Sequence, residues 1–196
     1  MKRVIFCFIA ALFTCQAGMA QDIHWGVKAG LNAAMLTLKN RGETEIRPGL
    51  HAGALAHIHV SRKLALQPEL FYSGQGGKQI ISGTEYKTNL HYLNLPVLLQ
   101  YMFHNGFRLQ AGPQVGFLLK ARQHVTNTEA NIIQRYKAID VSLPVGISYL
   151  SASGLGVDLR WAFGLNNVND AGNRLPVIRN QVGQVGLFYL LHYRDH

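Results

Sequence analysis

Six charged residues, Lys28, Glu69, Arg108, Lys120, Asp158 and Arg160, stand singly among glycine, glutamine and apolar neighbours. Acids and bases set into one narrow interior have two uses. They can neutralise each other, or they can line a passage for a charged solute. An unpaired buried charge costs several kcal/mol, so a structural ion-pair network is the expected use. His57 and His59, with His51 further along, form a second constellation. Two imidazoles at i and i+2 on a strand share a face and could ligate zinc or copper. No carboxylate or cysteine stands at a spacing that would complete the site, so the histidines read as polar packing and no metal is expected. Ser73, Ser142 and Ser148 lack a nucleophile-elbow motif, which leaves no acyl-transfer chemistry to assign. Gly74-Gln75-Gly76-Gly77-Lys78 lacks the Gly-Lys-Ser/Thr ending of a phosphate loop and reads as a glycine-rich hairpin tip. The expectation is a protein without enzymatic activity and without a cofactor.

The elements that must hold these residues follow from pattern and composition. The chain has 196 residues, 48% of them hydrophobic and only 15% charged, with 20 glycines and a net charge of +9. That composition excludes a disordered chain and a coiled coil. Lys2 and Arg3 precede an apolar run from Val4 to Phe13, and small residues Gly18 and Ala20 precede Gln21. Residues 1–20 therefore read as a cleaved secretory leader and 21–196 as the mature domain. Both cysteines, Cys7 and Cys15, fall in the leader. Disulfides, thiolate catalysis and cysteine-bound metal are thereby excluded from the mature chain. The basic residues are dispersed rather than clustered with aromatics, which argues against a nucleic-acid partner.

Beyond the leader the sequence alternates with period two, the mark of strands with unlike faces. Eight segments carry it: 23–33, 50–60, 64–73, 89–102, 107–121, 140–149, 155–166 and 183–193. Gaps 61–63, 103–106 and 150–154 are short. Gaps 34–49, 74–88, 122–139 and 167–182 are long and polar. Strict short–long alternation predicts an eight-stranded antiparallel up-and-down barrel, with all short turns and both termini at one end.

One stripe of every segment is bulky, as in Val157, Leu159, Trp161 and Phe163. The other is small or polar, as in Gly156, Asp158, Arg160 and Ala162. The second stripe fits a narrow interior and the first fits lipid. Segments of ten or more residues also reach across a bilayer core, which takes about 9–11 tilted residues. Trp25, Tyr101, Phe107, Tyr149 and Tyr193 fall near the short-turn end, and Tyr72, Phe117 and Phe163 nearer the long-loop end, as two interfacial aromatic belts would. All six charges lie on the polar stripe, where they would form a lumen network. The competing arrangement is a soluble, lipocalin-like ligand-binding barrel with the bulky stripe inside.

Several stretches together resemble a known family. They are Gly26-Val27-Lys28-Ala29-Gly30-Leu31-Asn32, Pro68-Glu69-Leu70-Phe71-Tyr72-Ser73-Gly74-Gln75-Gly76-Gly77-Lys78, Tyr92-Leu93-Asn94-Leu95-Pro96-Val97-Leu98-Leu99-Gln100-Tyr101, Gly112-Pro113-Gln114-Val115-Gly116-Phe117, and Val157-Asp158-Leu159-Arg160-Trp161-Ala162-Phe163-Gly164-Leu165-Asn166. In this order and spacing the chain resembles the outer-membrane β-barrel domain of the porin-family and PorT-like proteins common in Bacteroidota. The resemblance implies a bacterial outer-membrane location, long loops outward, short turns in the periplasm and no enzyme activity. It makes outer-membrane lipid and the assembly machinery the expected partners, with an extracellular partner at loops 34–49, 74–88, 122–139 or 167–182. The expected role is structural or loop-mediated. The alternative is a small-solute pore or transport accessory.

Overall fold

The computed structural model describes residues 23–38, 42–81, 84–125, 128–170 and 177–193. The expected leader, residues 1–20, lies outside them. The strands are β1 (Ile23–Leu38), β2 (Gly42–Glu43), β3 (Arg47–His59), β4 (Leu64–Ile81), β5 (Thr84–Met102), β6 (Phe107–Ala111), β7 (Gln114–Val125), β8 (Thr128–Asn131), β9 (Ile139–Leu150), β10 (Leu155–Gly164) and β11 (Ile178–Leu190). All pairings among them are antiparallel.

The expected eight-stranded barrel is corrected. Ten strands follow one another in the order β10-β11-β1-β3-β4-β5-β6-β9-β7-β8, with β2 attached to β1, and pairing of β9 with β10 brings the path round into a ring. Two physical causes separate this from the eight-strand reading. The first is Pro113, which has no N–H to give a ladder. The single segment 107–121 breaks there into β6, paired with residues 99–102 of β5, and β7, paired with residues 86–96. Hydrogen bonds from Val97 N–H to Pro113 O (3.0 Å) and from Gly112 N–H to Pro144 O (3.2 Å) cross the break. The second is that parts of the supposed loops are strands themselves. β2 and β8 lie in them, and β1, β3, β7 and β11 run into them.

The hairpin of β4 and β5 shows this most clearly. It pairs residue by residue from Gly74↔His91 to Ile81↔Thr84, so residues 74–78 are strand and not a hairpin tip. Glycine is a poor strand former, but here another chain segment crosses close by. A Cβ on Gly77 would stand 2.2 Å from Thr44 Oγ1, and Gly76 has φ of +131°, a conformation that favours glycine. Glu45 N–H donates to Lys78 O (2.8 Å) and Lys78 N–H to Glu45 O (3.2 Å), tying that crossing segment to the hairpin.

The two faces sort as the alternation requires. Trp25, Leu31, Leu50, Leu159 and Leu187 are 56–65% exposed, whereas Asp158 and Arg160 are 2% and 3% exposed. A lipocalin-like barrel would hold the bulky stripe inside, and here it forms the outer wall. Tyr193 departs from the outward belt. The strand ends at Leu190, His192 takes a positive φ of 55°, and Tyr193 packs inward beside Leu55, Leu150, Phe188 and Leu190.

Candidate functional site: a filled, charged lumen

The middle of the interior is an ion cluster drawn from three strands. β1 supplies Lys28, β4 supplies Glu69, and β10 supplies Asp158 and Arg160. Lys28 Nζ lies 3.1 Å from Glu69 Oε2 and 3.4 Å from Asp158 Oδ2. Arg160 Nη1 lies 2.8 Å from Glu69 Oε2, and Arg160 Nη2 lies 3.0 Å from Asp158 Oδ2. Two cations meet two carboxylates, so the group is neutral overall. All four side chains are at most 1% exposed. Gln67 donates from Nε2 to the second oxygen of Glu69 at 2.7 Å, and Lys28 Nζ also stands 4.9 Å from the centroid of the Phe71 ring, a cation–π distance.

Small neighbours make this cluster fit. A Cβ on Gly146 would come within 2.8 Å of the Arg160 side chain, and one on Gly186 within 3.0 Å of His51 Nε2 and 3.3 Å of Asp158 Oδ1. The glycines of the polar stripe thus leave the room that the long charged side chains occupy.

Neutral polar groups continue the network toward the long-loop end. Asn32 Nδ2 donates to Ser73 Oγ (3.0 Å) and to Gly74 O (2.9 Å), while its oxygen meets His51 Nδ1 (2.8 Å) and Gln184 Nε2 (3.1 Å). Gln75 donates to Ser73 Oγ (2.9 Å) and accepts from Asn180, which also donates to Asp140 Oδ2 (3.1 Å). Apolar clusters close each end. Leu36, Leu90, Tyr92, Ala121 and Ile132 pack at the long-loop end, and Leu55, Leu150, Phe188 and Leu190 at the short-turn end.

The structure brings four of the six sequence-expected charges into one cluster. Arg108 is buried on β6, within electrostatic reach of His57. Lys120 is not in the lumen but exposed on the outer wall. A β-bulge explains the difference: Tyr92 pairs with Leu118 while His91 pairs with Lys120, so Leu119 is an extra residue on β7. Past an inserted residue the alternation reverses, and Ala121 takes the inward place. His57 and His59 pack edge to face with ring centroids 4.6 Å apart, and His24 stands 5.9 Å from His59. His24 was missed among the candidates, although its place on the polar stripe of β1 was the available signal. Among the described residues no three histidine, cysteine or acidic side chains are grouped to hold a metal ion. Asn32, Gln75, Gln184 and Asn180 were also missed, because amides carry no chemistry signal until the fold joins them.

A ring of antiparallel strands with an apolar outer wall and a charged interior narrows the comparison to membrane barrels. Residues 19–170 match the family described as outer membrane protein beta-barrel domain. The chain belongs to that family. Neisserial surface protein A has a similar fold, with a TM-score of 0.59 at 13% identity, covering 85% of this chain and 97% of that one. Ail, the attachment invasion locus protein of Yersinia pestis, superposes with a TM-score of 0.52 at 9% identity, over 86% of this chain and 98% of its own. No curated protein matches the sequence. The family member described here is an outer-membrane β-barrel protein.

Proposed function

We propose that this protein is a filled membrane scaffold of the bacterial outer membrane that acts through its long-loop end and does not conduct solute. The ion cluster of Lys28, Glu69, Asp158 and Arg160 carries the reading, because four paired charges at the centre of a narrow ring leave no polar passage through it. The β4–β5 hairpin and the β7–β8 hairpin stand at the end where the resemblance puts the cell exterior. They support a loop-mediated interaction role for segments 34–49, 74–88, 122–139 and 167–182. The porin-family, PorT-like assignment within the family rests on the motif resemblance alone. Outer-membrane lipid and the assembly machinery complete the proposed partners.

Planar-bilayer recording on the full folded chain tests the scaffold. The expected result is no steady current above the bare membrane. A steady, solute-sensitive current would overturn the reading in favour of a small-solute pore. Cell fractionation with gel mobility of heated and unheated protein tests the location: a heat-modifiable band in the outer-membrane fraction is expected, and a soluble periplasmic band would refute it.

A further inference from the structure

The bulge that turns Lys120 outward also builds a cleft. It has a volume of about 450 Å³ and lies on the outer wall where β4, β5 and β7 meet. Its apolar side is Tyr72 and Leu119, 43% and 48% exposed at the upper end of the bulky stripe. Its other side is His91, Lys120 and Arg122. Bulges commonly re-aim a side chain. Here, with unbroken alternation, Lys120 would point into the lumen.

The charges in the cleft do not cancel. Glu129, on β8, binds Arg122 at 2.6 Å and stands 3.9 Å from His124. Lys120 has no ion-pair partner among the described residues, and Arg47 and Lys120 both add positive potential at His91. The Tyr72 hydroxyl is hydrogen-bonded to His91 Nδ1, which fixes both rings along the wall. One acid therefore faces two permanent cations at the rim, with hydrocarbon-facing side chains directly beneath them.

We propose that this cleft binds the phosphate-bearing headgroup of an anionic lipid, seated by Lys120 and Arg122 with its chains lying along Leu119 and the wall below. The argument is positional and electrostatic. A free anion would have no use for the apolar half, and a neutral lipid would leave the cations uncompensated. Cations beside a membrane surface each add about fivefold to anionic-lipid affinity, and an arginine fork adds geometric fit to phosphate oxygens. Glu129 competes with the phosphate for Arg122, so it moderates affinity rather than creating it.

The test uses the full chain folded in a neutral maltoside detergent, with lipid binding read by native mass spectrometry. The probes are dilauroyl phosphatidic acid, dilauroyl phosphatidylcholine and inorganic phosphate. Phosphatidic acid is expected to bind about tenfold or more tightly than phosphatidylcholine. In Lys120→Gln/Arg122→Gln that preference should fall to about twofold or less, while Arg179→Gln, exposed on β11, should keep it. Glu129→Gln should tighten binding by about threefold. All the altered side chains are exposed, and an unchanged heat-modifiable gel shift certifies folding. A double variant that keeps the wild-type preference overturns the proposal. Displacement of the lipid by equimolar inorganic phosphate overturns it too, in favour of a small-anion site.

Discussion

Two clusters of acids and bases in this molecule use the same chemistry in opposite surroundings. In the lumen, Lys28, Glu69, Asp158 and Arg160 are shut away from water, and each contact of the cluster runs from one strand to another or along β10. On the long-loop hairpin, Lys78 meets Glu45 at 3.3 Å and Glu85 at 3.5 Å, and Lys87 meets Glu85 at 2.8 Å, with side chains 30–57% exposed. The distances are alike. What differs is the alternative open to each group when its partner is lost. A hairpin lysine regains water, and a lumen lysine does not. Ion pairing is therefore a requirement of the lumen and an option for the hairpin.

The sharpest way to break that contrast is Glu69→Gln. It leaves two buried cations sharing one carboxylate and should cost about 3–5 kcal/mol. Urea unfolding of the detergent-folded protein should show the loss, and a change within about 0.5 kcal/mol would mean that the lumen is wet. Replacing all four members by apolar residues of similar volume should be far milder, within about 2 kcal/mol of wild type, because no charge is stranded. If the quadruple variant instead unfolds more readily than Glu69→Gln, pairing contributes net stability and the desolvation argument fails.

Gly186→Val tests the space around the cluster. Its Cβ would approach Ala29 O at 3.2 Å and the carboxylate of Asp158 at 3.3 Å. Overpacking of that kind costs about 1–3 kcal/mol. A well-folded variant of unchanged unfolding midpoint would show that the polar stripe is not tightly filled.

The smallest effect belongs to the hairpin and depends on pH. The hydrogen bond from Lys87, assisted by the charge of Lys78, holds the Glu85 carboxyl below its ordinary range, and the hydrogen bond to Glu45 raises the Lys78 ammonium above its own. A lowered acid stabilises the fold above its unfolded pKa, near 4.5, and that contribution is lost as pH falls through the folded value. A raised base stabilises the fold below its unfolded pKa, near 10.5, and its contribution goes as pH climbs through the folded value. Amide protection at Glu45 and Lys78, taken relative to the intrinsic exchange rate at each pH, should accordingly be greatest between those limits and should fall with added salt. Protection that ignores both pH and salt would show that the backbone bridge alone holds the crossing segment.

The strands were legible where one solvent met each face along an unbroken ladder. Val157 to Phe163 is such a stretch: its parity assigned Asp158 and Arg160 to the interior, where the structure also has them. Legibility failed at interruptions. Leu119 inserts one residue and sends Lys120 to the other face. Pro113 divides a segment that reads as continuous. Residues 74–78 look like a turn by composition, yet their glycines serve the approach of Thr44, a residue about thirty positions away in sequence. Tyr193 turns inward after the backbone reverses at His192. Of the candidate site, the four clustered charges were visible as residues on one stripe. The amide ladder through Asn32, Gln75 and Asn180 was not, since no single-strand pattern marks a contact between side chains 105 positions apart.

By itself the amino-acid sequence determined the two unlike faces and which of them could meet hydrocarbon, because side-chain alternation along an extended backbone is a local property. It also determined that charge would be confined to the inner stripe over most strands. Only the tertiary structure decided how many strands the ring contains, which carboxylate serves which cation, and which side of the wall Lys120 occupies. Those outcomes depend on register and on a single inserted residue, and register is settled by pairing between strands, where no one strand carries the information.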